Sequence, residues 1–152
     1  MPIDYRRQRA SDASILDHLT RCEGDFLPPL GSRVKIDAYA KKMAASADLF
    51  EAWSGEDLIG LVSVYCNAVD REVAFVTNVS VVSNWQGQGI ASRLLSDCIN
   101  YARDLGFSRI ELDVDKMNAQ AIALYRSHGF SIVDQERAVH RMRLTLAARP
   151  NM

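Results

Sequence analysis

Residues 79–92, VSVVSNWQGQGIAS, decide the fold, because an apolar β-branched run there gives way to a polar loop and then to a helix start. β-branched residues favour strands. Gly87 and Gly89 let consecutive backbone N–H groups approach an anion with no Cβ in the way. The helix that begins near Ile90 directs the positive end of its dipole at the same point. The stretch therefore predicts a strand–loop–helix unit that binds a diphosphate.

The composition is that of one ordinary globular domain. The 152 residues include 48% hydrophobic and 24% charged side chains, with a formal net charge of −1. A chain of this length buries roughly two thirds of its unfolded surface as one domain, which we assign to residues 1–147, followed by a flexible tail at 148–152. The charge gives no electrostatic case for a nucleic-acid or membrane partner. With no apolar run of about 18 residues and no signal peptide, a cytoplasmic location is expected.

The cysteines and histidines do not suggest a metal site. Cys22, Cys66 and Cys98 are odd in number, widely spaced and without a C-x-x-C pair, so neither a disulfide framework nor a zinc site is indicated. We expect reduced, mostly buried thiols, with Cys98 packing on an apolar helix stripe. His18 and His140 are expected at the surface or on a strand face rather than as ligands.

The hydrophobic pattern predicts the element order β-α-α-β-β-β-α-β-α-β-β. Ser11 is a predicted N-cap for a helix over residues 12–22, and the prolines and glycines of residues 23–33 predict an ordered loop. A second helix follows to residue 47, then a hairpin and a strand up to the glycine loop. Gly106 and Gly129 stand where helix C′ glycines belong.

Two motifs resemble the Gcn5-related N-acetyltransferase superfamily. Residues 86–91, QGQGIA, fit its Q/R-x-x-G-x-G/A signature, and residues 118–130, NAQAIALYRSHGF, resemble its N-x-x-A-x-x-L-Y-x-x-x-G-F motif. Both occur in the family's order. The close resemblance covers residues 72–131, and the element order extends it over nearly the whole chain. Residues 26–43 also resemble a subgroup with members from bacterial surface-polysaccharide gene clusters.

The resemblance implies an α/β fold in which a twisted, mostly antiparallel central sheet splits into a V, flanked by about four helices. It implies an enzyme, an N-acetyltransferase that moves an acetyl group directly from acetyl-CoA to an amine, with no covalent enzyme intermediate. The acceptor would be a small molecule, such as an amino sugar, or a peptide. Acetyl-CoA is then a co-substrate, and no metal is implied.

The resemblance also implies the site residues. The pantetheine arm would pair with the backbone of Val79, Ser80 and Val81, and Tyr125 would protonate the departing CoA thiolate, whose reference pKa of about 8.5 makes it a fair leaving group. The remaining implied cofactor contacts are Gln86, which leads the loop, the pyrophosphate-binding amides of Gly87, Gln88, Gly89, Ile90, Ala91 and Ser92, and Asn118 on the cofactor arm.

Several of these residues also have a purely structural interpretation. Gly87 and Gly89 could only shape a turn, and Asn118 could be an N-cap, a role compatible with cofactor contact. Tyr125 could be a core residue with a satisfied hydroxyl. His128 could simply favour the helix dipole.

The sequence does not identify the general base. Many members of the superfamily that the chain resembles carry a glutamate near the middle of the fourth strand, where this chain has residues 75–78, FVTN. The candidates are Glu72, Glu111, Asp113, His128 and a bound water. Neutralising a lysine-like amine at pH 7 costs about 4.6 kcal/mol, whereas an amine of pKa near 7.8 costs about 1 kcal/mol. A low-pKa acceptor, such as an amino sugar or an α-amine, would therefore suit the site.

Acceptor recognition is expected from two regions, the loop at residues 23–33 and the strand end around Tyr65 and Asn67. Glu23 and Asp25 could attract a cationic amine, although exposed loop carboxylates are more often only solvated. The sequence does not name the acceptor.

Two functions of other classes remain open. A glycine loop after a strand, with Glu111 or Asp113 about 20 residues on, mimics the fingerprint of an NAD(P)-dependent oxidoreductase. It fits poorly, because residues 83–86 separate the strand from Gly87 and Ser92 replaces the third glycine. A non-catalytic acyl-CoA-binding regulatory domain would keep the loop without the chemistry. An exposed edge of the last strand also leaves a homodimer open.

Overall fold

Strands and helices follow one another in the predicted order in the computed structural model, which describes residues 2–26, 30–32, 34–135 and 138–147. The strands are β1 (Asp4–Arg7), β2 (Asp48–Ser54), β3 (Asp57–Tyr65), β4 (Val73–Val81), β5 (Arg109–Asp115), β6 (Ser131–Asp134) and β7 (Val139–Thr145). The α-helices are α1 (Asp12–Cys22), α2 (Ile36–Ser46), α3 (Ile90–Asp104) and α4 (Ala119–Ser127), with short 3₁₀ turns at Glu23–Asp25, Leu30–Ser32 and Ser83–Trp85.

The predicted helix ends are confirmed. The Ser11 hydroxyl accepts from the backbone N–H of Ser14 at 3.2 Å and so caps α1. Gly106 and Gly129 follow α3 and α4 with φ of 88° and 98°, the left-handed conformation that ends helices. Part of the predicted 23–33 loop, residues 27–29 and 33, lies outside the described residues, as does the predicted tail at 148–152.

The strands form a seven-stranded sheet of order β1-β2-β3-β4-β5-β7-β6. Neighbouring strands are antiparallel except β4 and β5, which pair in parallel only from Val73 with Arg109 to Val76 with Leu112. Beyond that point, among the residues that the structure describes, β4 pairs only with β3, and β5 pairs only with β7. The two central strands therefore diverge, which confirms the predicted V-shaped, mostly antiparallel sheet.

The helices cover the two faces of the sheet separately. Along β3, Val62 packs in the cluster under α3, whereas Leu61 packs in the cluster under α1 and α2, as side chains alternate along a strand. α3 lies close to β3 at Gly60, where a Cβ would come within 2.8 Å of Ile90 Cγ2. Glycine is therefore needed there to admit the helix. The fully buried Cys98 packs on this face, as expected.

A β-bulge bends β4 where it leaves β5. Ser63 of β3 pairs with Asn78, but Val64 pairs with Val76, so Thr77 is an extra residue on β4. Bulges bend the strand and increase its twist. The hydroxyl of Tyr39 on α2 donates to the Thr77 carbonyl oxygen at 2.5 Å. The bulge thus begins the segment of β4 that forms one wall of the V.

A buried carboxylate ties the β1–α1 corner to the sheet. Glu51 on β2 is fully buried and accepts from the backbone N–H of Arg9 at 3.1 Å and of Ala10 at 3.0 Å. It also accepts from the Trp53 indole N–H at 2.9 Å. These charge-assisted bonds offset the burial of the charge.

Glu51→Gln is expected to lower the free energy of unfolding by about 2 kcal/mol, because the amide NH₂ would face an N–H donor. Urea unfolding measures the change. Glu56→Gln is the matched control, since the Glu56 side chain is 97% exposed in the β2–β3 turn and should change stability by less than about 0.5 kcal/mol. Equal losses in the two variants would contradict this role of Glu51.

Candidate active site

The V between β4 and β5 forms a cleft of about 720 Å³. The end of β4 lines one wall, and the end of β5 with the start of α4 lines the other. The loop before α3 and residues at the end of α1 complete it. The cleft brings together almost all predicted site residues, namely Val79, Ser80, Val81, Gln86, Gly87, Gly89, Ile90, Ala91, Ser92, Asn118 and Tyr125. Gln88 does not line it but lies in the same loop.

Two glycines give the loop its shape. Gly87 and Gly89 have φ of 81° and 79°, a conformation that non-glycine residues rarely adopt. An added Cβ would meet no described atom within 4 Å at either position, so backbone conformation rather than crowding requires glycine. Gly89 is the N-cap of α3 and offers no side-chain cap. The first N–H groups of α3 therefore stay available to an anion.

Gln86 holds the glycine loop in place through two hydrogen bonds. Its Nε2 donates to the Val81 carbonyl oxygen at 3.0 Å and to Asp25 Oδ2 at 3.3 Å. One side chain therefore connects the loop with the end of β4 and with the turn after α1.

Asn118 begins α4 as its N-cap, and its Oδ1 accepts from the Ala121 N–H at 3.2 Å. The N-cap interpretation is confirmed. Because Asn118 also lines the cleft, the cap is compatible with the predicted contact to a ligand.

Tyr125 is 7% exposed and lies in the cleft wall, with its ring centroid 6.0 Å from that of Phe130. Burial raises the pKa of its phenol to about 12. Within the described part of the chain its hydroxyl has no hydrogen-bond partner, so it is not the satisfied core hydroxyl of the structural interpretation. The phenol stays protonated at neutral pH and can donate into the cleft.

Glu111 lies outside the cleft lining and is held by three arginines. Arg143 donates to it at 2.8 Å, Arg109 at 3.2 Å and Arg141 at 3.1 Å. Burial alone would raise the pKa of the Glu111 carboxyl, but these hydrogen bonds outweigh burial and hold the pKa below its ordinary value. Such a carboxylate is a poor proton acceptor.

The other base candidates also have partners. Glu72 pairs with Arg109 at 3.3 Å, at the end of β4 remote from the cleft. Asp113 lines the cleft, but Arg141 binds both of its oxygens at 2.5 and 3.2 Å. His128 Nε2 lies 3.0 Å from the Ser92 hydroxyl oxygen, and burial lowers the pKa of its imidazole.

His18 is fully buried, so the expectation of a surface position was wrong. Its Nδ1 lies 2.8 Å from the Leu58 carbonyl oxygen and its Nε2 2.8 Å from Ser80 Oγ. Burial lowers the pKa of His18 to about 4. The signal was present in the sequence, because His18 shares one stripe of α1 with Ile15, Leu19 and Cys22, at helical spacings that face a core.

The cleft is acidic. Asp25, Asp113 and Asp115 line it, and no lysine or arginine stands among the described residues of its lining. Asp25 and Phe26 come from the segment where acceptor recognition was expected. Tyr65 and Asn67 do not line the cleft, so the structure does not bring that second expected region to the site.

Neither a membrane span nor a metal cluster is found in the described ranges. None of the helices there has both the length and the apolar character needed to cross a bilayer. No three His, Cys, Asp or Glu side chains of those residues are grouped so that they could hold a metal ion.

Comparison with protein families gives a match over residues 13–130 to the model described as the acetyltransferase (GNAT) family. The chain is 28% identical over 98 residues to the uncharacterized N-acetyltransferase YvbK of Bacillus subtilis, covering 64% of this chain and 59% of that protein. It is 38% identical over 58 residues to human N-acetyltransferase 8B, covering 38% of this chain and 26% of that protein. The matches thus span less than two thirds of the length of these relatives.

Solved structures share the fold. A GNAT family acetyltransferase from Elizabethkingia anophelis with acetyl-CoA bound has a TM-score of 0.71 at 20% identity, covering 95% of this chain and 98% of that one. The PaiA N-acetyltransferase from Thermoplasma acidophilum in complex with coenzyme A has a TM-score of 0.72 at 14% identity, covering 95% and 99%.

Proposed function

This chain belongs to the acetyltransferase (GNAT) family, and on that premise we propose that it transfers an acetyl group from acetyl-CoA directly to an amine. The observation that carries the proposal is that one cleft holds both an uncapped glycine loop at the start of α3 and the Tyr125 hydroxyl, which has no partner among the described residues. The loop supplies donors for a diphosphate, and the hydroxyl supplies a donor for a leaving group. The acetyl-CoA and CoA bound in the two structural relatives support the same use of this cleft.

The backbone holds most of the donor substrate in this proposal. Amides of residues 87–92 and the α3 dipole face the pyrophosphate, without help from lysine or arginine in the described lining. Between Val79 and Val81, no strand in the described part of the chain pairs with β4 on its β5 side. Its free backbone groups can pair with the amide-containing pantetheine arm as a strand edge pairs with a peptide.

Tyr125 acts on the leaving group. As the amine nitrogen attacks the thioester carbonyl, the C–N bond forms, the C–S bond breaks and CoA departs as a thiolate. The Tyr125 hydroxyl donates a hydrogen bond to that sulfur, or gives it a proton and regains one from water, and the proton released by the amine leaves to water. With a pKa of about 12 the phenol remains protonated across the neutral range, and positioned acids of this kind contribute about 10²- to 10⁴-fold in rate.

The acceptor is proposed to be a small-molecule amine of low pKa, such as an amino sugar or an α-amine. The three aspartates of the lining favour a cation on approach. Each of them already accepts a hydrogen bond, from Gln86, Arg141 or the Met117 N–H. None of the three aspartates is therefore proposed as the base that deprotonates the amine. An acceptor that loses its proton easily to water suits such a cleft. The proposal extends to a cytoplasmic enzyme that needs no nucleic-acid or membrane partner.

The test is amine-dependent CoA release, followed with a thiol reagent while mass spectrometry identifies the acetylated product. Amines with pKa from about 7.5 to about 10.5 are compared. We expect release to be fastest with the low-pKa acceptors at pH 7 and to rise with pH as the amine loses its proton. Binding of acetyl-CoA with no amine-dependent release across the series would instead favour the non-catalytic acyl-CoA-binding domain.

Replacing Gly87 and Gly89 together by alanine is expected to weaken acetyl-CoA binding about tenfold or more. Alanine in the left-handed region costs about 1–2 kcal/mol per residue, so the loop would relax and turn its amides away. Calorimetric titration measures the Kd. Gly55→Ala is the matched control, because Gly55 has φ of 59° and open space around its Cα in the distant β2–β3 turn. A Kd that changes equally in the control would contradict this role of the loop.

A further inference from the structure

A chain of hydrogen bonds with one fixed direction runs from α1 to the wall of the cleft. The Leu58 carbonyl oxygen can only accept, so His18 Nδ1 carries the proton and donates to it at 2.8 Å. His18 Nε2 is then the acceptor for the Ser80 hydroxyl at 2.8 Å. Ser80 Oγ in turn accepts from Asn78 Nδ2 at 2.9 Å. Each bond determines the role of the next group, and Asn78 is the last member.

The side-chain amide of Asn78 can take only one orientation. Its Nδ2 also donates to the Leu61 carbonyl oxygen at 3.3 Å, and a flipped amide would set two oxygens against each other. Asn78 Oδ1 is therefore the free end of the chain. It is buried, and it has no partner among the residues that the structure describes.

The position of Asn78 places this residue in the wall of the cleft, beside the proposed site of the thioester. Asn78 is 4% exposed, lines the cleft, and directly follows the Thr77 bulge at which β4 leaves β5. Its neighbour Val79 begins the backbone segment proposed for the pantetheine arm. On its own face of the strand, Asn78 shares the cleft lining with Ser80 and with residues at the end of α1.

A buried carbonyl oxygen without a donor matches one kind of ligand group, an N–H or O–H that enters the cleft. We propose that Asn78 Oδ1 accepts a hydrogen bond from an N–H of the acceptor amine, and that His18, acting through Ser80, holds Asn78 in that orientation. This inference rests on the proposed function. Asn78 takes no proton in the step; it is a positioning residue that directs the nitrogen lone pair towards the acetyl carbonyl. The acceptor is accordingly a neutral amine that retains an N–H beside its lone pair.

Asn78→Leu tests the inference, because leucine keeps the volume and removes both polar groups. We expect kcat/KM for the amine to fall about 10- to 100-fold, as for a lost hydrogen bond that positions a reactant, while the Kd of acetyl-CoA changes less than about twofold. Ser80→Ala breaks the chain but leaves Asn78 in place, and should lower the same kcat/KM about 3- to 10-fold. Ser80→Ala alone tests the inference if Asn78→Leu does not fold.

Ser63→Ala is the matched control. Ser63 is the β3 partner of Asn78, is fully buried and also has a hydroxyl without a partner among the described residues, but it does not line the cleft. It should leave kcat/KM for the amine unchanged. Suppose that the wild type turns over, but Asn78→Leu and Ser80→Ala lose little kcat/KM for the amine, or Ser63→Ala loses as much as they do. Either result would overturn this inference and leave the proposed function standing. Absence of amine-dependent release in the wild type would overturn the proposed function and the inference with it.

Discussion

Tyr125→Phe is expected to lower kcat for acetyl transfer about 10²- to 10⁴-fold, the range of a positioned general acid, while the Kd of acetyl-CoA stays within about twofold. The ring is largely buried and packs against Phe130, and phenylalanine keeps that packing. Only the hydroxyl is lost, and it has no partner among the described residues. The variant therefore separates the departure of the thiolate from binding of the donor.

Tyr101→Phe is the control for Tyr125→Phe. The Tyr101 hydroxyl lies on α3 and donates to Asp48 at 3.0 Å, away from the cleft lining. Its removal should leave kcat unchanged. Stopped-flow measurement of CoA release gives both values. If Tyr125→Phe kept wild-type kcat, Tyr125 would be a packing residue and another group would have to stabilise the thiolate.

Acid is expected to destabilise the fold through His18. Its pKa lies at about 4 in the folded protein, against 6.5 without the protein environment, because burial opposes the charged imidazolium, as does nearby Arg21. Hydrogen bonding to Leu58 and the charge of Asp17 only partly offset this. Between these two pKa values the unfolded chain binds more protons than the folded protein. The His18 contribution to stability is therefore complete above pH 6.5 and falls as the pH decreases towards 4, by about 3 kcal/mol.

Urea unfolding from pH 7.5 to 4 measures this dependence in the wild type and in His18→Gln. Carboxylates also titrate in acid, so the informative quantity is the difference between the two slopes. We expect His18→Gln to lose much of the dependence between pH 6.5 and 4. His128→Gln is the comparison. His128 is only half-buried, so this substitution should remove a smaller part of the pH dependence. A slope in His18→Gln equal to that of the wild type would show that His18 does not control this transition.

The features that could be predicted from the sequence are those whose geometry depends on residues close together in the chain. The glycine loop, the Asn118 cap and the C′ glycines depend on residues a few positions apart, so their geometry is encoded locally. The partners of charged and polar side chains depend on the tertiary fold instead. His18 and Ser80 are 62 residues apart, and only the packing of α1 on β4 brings them together. Nothing local showed that Glu111 would meet Arg141 and Arg143 of β7.

Thermal unfolding with acetyl-CoA, NADH or ATP at about 1 mM tests most directly whether this cleft binds acetyl-CoA. A ligand whose Kd is a hundredth of its concentration stabilises the folded state by about 2.7 kcal/mol. For a domain of this size that raises Tm by roughly 5–10 °C. We predict this shift with acetyl-CoA and none of comparable size with NADH or ATP. A shift with NADH and none with acetyl-CoA would contradict an acetyl-CoA site in this cleft and indicate a dinucleotide site instead.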